Sequence, residues 1–94
     1  MSTILTDLYA TILDRKANPK AGSYTASLFA AGTDEIVKKV GEEAIEVILA
    51  ATTQSDQRLV AEAADLIYHL LVALAQRGVT LAQVEAELEV RHRK

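Results

Sequence analysis

Apolar residues recur at spacings of three and four along almost the whole chain, and little interrupts them: one proline, Pro19, and four glycines in 94 residues. That spacing places one stripe of a helix against a core, and no stretch keeps the period of two that a half-buried strand requires. The few breakers therefore parse the chain. Ile4 to Lys16 carries Leu5, Leu8, Tyr9, Ile12 and Leu13 on one stripe, a first helix, and Ala17 to Gly22 forms a turn around the proline. Ser23 is predicted to cap a short helix to about Ala31, stopped by Gly32, and Thr33 or Asp34 to cap the next, to about Thr53. Ser55 or Asp56 opens a long helix that ends at Gln76-Arg77-Gly78, a basic last turn followed by glycine. Thr80 with Gln83 makes a capping-box pattern for a last helix through about His92. The expected fold class is all-α, a bundle of four or five helices in a single domain, 1–94.

Composition agrees and removes several functions. Ala and Leu dominate, with three Tyr, one Phe and no Trp, a mix that favours helices. A net charge of −3 argues against general attraction to nucleic-acid backbones or anionic membranes. The absence of cysteine excludes a disulfide framework, a thiolate metal site and a cysteine nucleophile. Charges interrupt every apolar run well before the about 18 residues a bilayer span needs, and Met1 to Asp7 lack the start of a secretory signal. The expectation is a soluble, cytoplasmic protein. A chain this short buries a modest share of its surface, so an extra interface is expected.

Two helices hold the chemistry. At about 100° per residue, the third places Ile36, Val37, Val40, Ala44, Val47, Ile48 and Ala51 on one face, with Lys39, Glu42, Glu43 and Glu46 as a stripe beside it. The fourth, from Leu59 to Ala75, is apolar nearly all round and reads as covered on most sides. Within it, Glu62, Asp65 and His69 fall on one line.

Between Glu42 and Gln76 stand six acids and a single cation, Arg58. Carboxylates in an apolar helix are costly unless paired or coordinated to a metal. Pairing is the plain explanation for two of them, Arg58 with Glu62 and His69 with Asp65, and a solvated helix face is the usual one for acids three apart. The functional explanation is a hard-cation site. Glu43 and Glu46 are neighbours on one helix, Glu62 and Asp65 repeat the spacing on the next, and an antiparallel pair brings both couples together. Clustered carboxylates suit Mg²⁺ or Mn²⁺, which bind beside substrate phosphates.

Lys38-Lys39-Val40-Gly41-Glu42-Glu43-Ala44, continuing to Glu46, followed by Glu62-Ala63-Ala64-Asp65-Leu66-Ile67-Tyr68-His69, resembles the phosphoribosyl-ATP pyrophosphatase family of histidine biosynthesis. Arg15 to Pro19, Gly22-Ser23-Tyr24-Thr25 and Leu28-Phe29 resemble its N-terminal part. The paired acidic spacing is shared with the wider all-α, MazG-like nucleotide pyrophosphohydrolases. The resemblance implies a homodimer that hydrolyses the α–β phosphoanhydride of phosphoribosyl-ATP, with Glu43, Glu46, Glu62 and Asp65 as Mg²⁺ ligands. Glu42 becomes a further ligand or the group that orients the attacking water, alongside Glu43 and Glu46. No cyclohydrolase activity is expected.

Cations and caps take second roles, each beside an ordinary reading. Lys38 and Lys39 suit phosphate contacts as point charges, or pair with Glu42 and Glu43; Lys39 shares the acidic stripe. Ser23 and Tyr24 start a helix where N–H groups point outward to an anion, and a plain cap explains Ser23 equally. Arg15, Lys16 and Lys20 are either phosphate contacts or solvated surface, and Arg91, Arg93 and Lys94 complement a helix end. His69 is read as support for Asp65, Tyr68 as packing, and Gly41 as the mark of a close neighbour. The rivals to this enzyme are a house-cleaning nucleoside triphosphate pyrophosphatase and a non-catalytic helical dimerisation module.

Overall fold

The computed structural model describes residues 3–93; Met1, Ser2 and Lys94 lie outside it, and with them part of the leader expectation and the last of the three C-terminal cations. Five helices follow in order: α1 (Ile4–Ala17), α2 (Tyr24–Ala31), α3 (Thr33–Thr53), α4 (Asp56–Arg77) and α5 (Leu81–His92), with no strand among the described residues. Local capping sets most of these limits. Thr3 accepts from the Thr6 amide, Ser23 from Ala26, Ser55 from Arg58 and Thr80 from Gln83, each hydroxyl taking one of the donors that a helix start leaves free. At Thr80 the Gln83 side chain closes the box in return.

The α2–α3 corner departs from expectation. Neither Thr33 nor Asp34 caps α3. Gly32 alone closes one helix and opens the next, at φ 98°, where a side chain is strained. Its N–H donates to Leu28 O and its carbonyl accepts from Ile36 N. Thr33 is already helical, and its hydroxyl instead accepts from Gln76 Nε2 of α4 at 3.0 Å.

The long antiparallel pair α3–α4 is the spine, and α1 and α2 pack across one end of it. Tyr9, Ile12, Leu28, Ile36, Leu71, Val72 and Ala75 form the core there. Two polar ties anchor it. The Tyr9 hydroxyl donates to Val79 O at 2.6 Å, and Lys16 Nζ donates to Ala75 O at 2.8 Å while standing over the Phe29 ring. Lys16 thus serves the carbonyl end of α4, where a cation is favoured, and is not plain solvated surface. Arg15 pairs with Asp14, Arg91 with Glu87 and Arg93 with Glu89.

The buried face of α3 is rotated from the one the wheel picks out. Ile36 and Ala50 are buried and Val40, Ala44 and Val47 partly so, whereas Val37, Ile48 and Ala51 are exposed. The centre of burial lies about 60° round, towards Glu43, at about 100° per residue. The reason is that α3 has a second apolar strip, with Val37, Ile45, Ile48 and Leu49 half-exposed or more. Nor is α4 covered on most sides within one chain: Val60, Ile67 and Leu70 stay open. Ile67, Leu70 and Leu74 join Leu5, Leu81 and Leu88 in lining a groove of about 380 Å³. The accessible surface, 6501 Å², exceeds the roughly 5,300 Å² expected of a 10.2 kDa monomer.

By length and composition alone, α4 is apolar enough to cross a membrane, contrary to the expectation that nothing here qualifies. It carries Glu62, Asp65 and His69 at mid-length, and Glu62 and His69 are buried against other helices of the same chain. One side of α4 thus packs into this chain's own core, and its length and composition are weak evidence for a span.

Candidate metal centre

The acids meet where α3 and α4 run side by side. One carboxylate oxygen each from Glu43, Glu62 and Asp65 lies within 4.8 Å of the others. Glu43 comes from α3, and its position follows from the rotation of that helix, which turns it inward to the seam. Glu62 and Asp65, three apart, share one face of α4. Glu46 stands outside this trio but close enough to act on Glu62 electrostatically.

Glu62 is the most telling of the four. Its residue is 6 % exposed, and Arg58 reaches its carboxylate only at 3.6 Å. Burial pushes its pKa above the ordinary carboxylate value, Arg58 partly opposes this, and Glu46, Asp65 and Glu43 add to it in that order. A cluster of like charges around a desolvated acid destabilises its ionised form. A divalent cation removes that penalty, so the donor set suits one. Oxygens around Mg²⁺ at about 2.1 Å stand at most about 4.2 Å apart, so these three need only small side-chain rotations to share one ion.

Around this centre the other residues divide. Glu42 is exposed and pairs with Lys39 at 3.6 Å. Lys38 turns the other way, to Glu35 at 3.8 Å, and so leaves the acidic stripe to Lys39. The Lys39 ammonium is held above its ordinary pKa, first by the neighbouring Tyr24 phenol and then by Glu42. Ser23 Oγ is engaged as the α2 cap. A Cβ at Gly41 would meet nothing within 4 Å, so no neighbouring helix of this chain explains that glycine.

His69 supports Asp65 differently from the sequence reading. Its Nδ1 lies 2.7 Å from the Asp65 main-chain carbonyl, not against the carboxylate, and its Nε2 is 2.9 Å from the Tyr24 hydroxyl. Tyr68 does pack, but its hydroxyl also bonds Thr25 Oγ1, and its ring stacks on Tyr24 at 6.1 Å between centroids. Both links join residues more than forty positions apart. The sequence marked Tyr24, Tyr68 and His69 one by one; only packing couples them.

Fold and site define a class: an all-α bundle in which two antiparallel helices pool carboxylates at their seam. The chain belongs to the phosphoribosyl-ATP pyrophosphohydrolase family, whose model matches residues 5–92. It is 56 % identical over 91 residues to a phosphoribosyl-ATP pyrophosphatase of Listeria welshimeri, covering 97 % of this chain and 87 % of that one. A phosphoribosyl-ATP pyrophosphatase of Pelotomaculum thermopropionicum is 53 % identical, covering 97 % and 93 %. A histidine biosynthesis bifunctional protein of Caldanaerobacter subterraneus is 50 % identical over 97 % of this chain, which spans 44 % of it.

Proposed function

We propose that this chain hydrolyses phosphoribosyl-ATP between its α and β phosphates, yielding phosphoribosyl-AMP and pyrophosphate, the second step of histidine biosynthesis. Family membership supports the substrate, and one structural observation carries the chemistry: the oxygens of Glu43, Glu62 and Asp65, drawn from two helices, lie within 4.8 Å of one another. Glu43, Glu62 and Asp65, with Glu46 beside them, would hold Mg²⁺, with Mn²⁺ the other suitable ion. When bound, the ion neutralises phosphate charge and acidifies water.

The protein groups do the rest. Lys39, half-buried on the acidic stripe, meets a phosphate as a point charge. Glu42, on the solvent side of the same turn, orients the attacking water, whose oxygen bonds to phosphorus as the anhydride P–O bond breaks and pyrophosphate leaves. Tyr24, at the α2 start that Ser23 caps, adds a substrate contact, whereas Lys38 stays with Glu35. The cytoplasm is the compartment for this step.

The working unit is a homodimer. The open strips of α3 and α4, the apolar groove beside α5 and the surface excess of about 1,200 Å² over a monomer of this mass are what a second copy would cover. The deciding experiment supplies phosphoribosyl-ATP and Mg²⁺ and quantifies pyrophosphate, beside a panel of ordinary NTPs and dNTPs. Preferred turnover of phosphoribosyl-ATP is the expected result. Faster turnover of a dNTP points to the house-cleaning role, and no release from any nucleotide to a helical module. Sedimentation at micromolar concentration tests the dimer.

A further inference from the structure

The hydrogen bonds through His69 have a fixed direction. The Asp65 main-chain carbonyl, 2.7 Å from Nδ1, can only accept, so Nδ1 carries a proton. In the neutral ring Nε2 then offers a lone pair and no hydrogen. The Tyr24 hydroxyl, 2.9 Å away, must donate to it. A phenol has one proton, and here it is committed. What Tyr24 turns towards its surroundings is an oxygen that accepts.

The same contacts hold that oxygen in place. His69 is 5 % exposed, while Tyr24 is 50 % exposed. Tyr24 stacks on Tyr68, stands edge-on to His69, and belongs to a first turn tied down again by the Thr25–Tyr68 bond. The α2 start is thus clasped to the helix that bears Glu62 and Asp65, with the phenol within electrostatic reach of Lys39. A phosphate oxygen carrying no proton cannot bond to an acceptor. Lys39, on the acidic stripe of α3, supplies the donor a phosphate needs.

We propose that His69 is a positioning residue that fixes the Tyr24 phenol as a hydrogen-bond acceptor, so that Tyr24 reads a ribose hydroxyl of the substrate and not a phosphate oxygen. This rests on the proposed reaction for the identity of the substrate, but the clasp itself does not. Tyr24→Phe keeps the ring stack and removes only the oxygen. It is expected to raise KM about 5–10-fold, the worth of one neutral hydrogen bond, with a smaller change in kcat. Among substrate analogues each lacking one ribose hydroxyl, one should show the same KM with parent and variant.

The tautomer is read separately, on the substrate-free protein, by ¹⁵N spectroscopy of the histidine rings, with His92→Gln assigning the second histidine. His69 should be protonated at Nδ1, and Tyr24→Phe should shift its Nε2 resonance. His69→Gln, which offers both an amide donor and a carbonyl acceptor, should recover KM better than His69→Leu. A proton on Nε2 alone, or a Tyr24→Phe penalty equal across all the analogues, overturns the proposal. Failure to hydrolyse phosphoribosyl-ATP at all would instead strike the proposed function and leave the tautomer result standing.

Discussion

Asp65→Asn isolates the metal centre more cleanly than any other substitution. The amide has the size and shape of the carboxylate, and the Asp65 main-chain carbonyl that holds His69 is untouched. What disappears is the negative charge on one of three groups whose oxygens lie within 4.8 Å of one another, an amide oxygen being a far weaker ligand for a hard cation. Mg²⁺ held at a hundred times its dissociation constant stabilises a folded chain by about 2.7 kcal/mol. At roughly 4–8 °C per kcal/mol for a domain of this size, the parent's melting midpoint should rise by about 11–22 °C. Losing a group that merely supports a ligand weakens metal sites about 10–100-fold, so a direct ligand should cost at least the upper figure. At the same Mg²⁺ concentration the variant is then half-saturated at most and retains about 0.4 kcal/mol, or about 2–3 °C. The assay is thermal melting by circular dichroism at 222 nm with and without Mg²⁺, alongside pyrophosphate release, which should fall at least about 100-fold. A variant whose midpoint climbs with Mg²⁺ as steeply as the parent's, or whose turnover is unchanged, removes Asp65 from the site.

Glu62→Gln should inactivate the enzyme yet raise the melting midpoint of the metal-free protein at neutral pH, because a buried acid among acids is relieved of its charge. Its folded pKa lies above the unfolded one, so the penalty is full above the folded value and fades as pH falls towards the ordinary carboxylate range; the gain should vanish there in melts taken across pH. Tyr9→Phe loses the 2.6 Å bond to Val79 O and should cost about 1 kcal/mol, lowering the urea midpoint by about 0.5–1 M with an unchanged slope. Lys39→Gln should raise KM for phosphoribosyl-ATP at least about tenfold while leaving the melting midpoint in place, since an exposed pair such as Lys39–Glu42 adds little stability; an unaltered KM would release Lys39 from the phosphate.

Helix limits were legible because caps are local. Ser23, Ser55 and Thr80 each act on an amide three residues on, so composition and spacing suffice to find them. The meeting of Glu43 with Glu62 and Asp65 was legible for a related reason, though Glu46 stands outside it: Glu62 and Asp65 share a face by spacing alone, and a short turn between α3 and α4 leaves the helices little choice but to lie antiparallel. Gly32 was misread as only a stop because one residue doing duty for two helices leaves no cap signature on either. The clasp of Tyr24 by His69 spans 45 positions, and no local pattern encodes it.

The orientation of α3 was lost for a more informative reason. A hydrophobic wheel finds one interior face by averaging, and α3 has two apolar strips. Ile36, Val40, Val47 and Ala50 are buried or partly buried against the rest of the chain; Val37, Ile45, Ile48 and Leu49 stay largely open. Averaging them points the wheel between the two strips, about 60° from the buried centre at 100° per residue, and leaves Glu43 at the margin of a face it in fact borders. Leaving so many large aliphatic groups in water has a cost, roughly 25 cal/mol for each Å² of apolar surface. Selection for a lone folded chain would replace them with polar residues at no loss to the core. In the dimer proposed above, these groups, opposite the side where the acids gather, give α3 a second contact. One face of α3 brings Glu43 to the carboxylate centre within the chain, and the other is the face a second copy would cover.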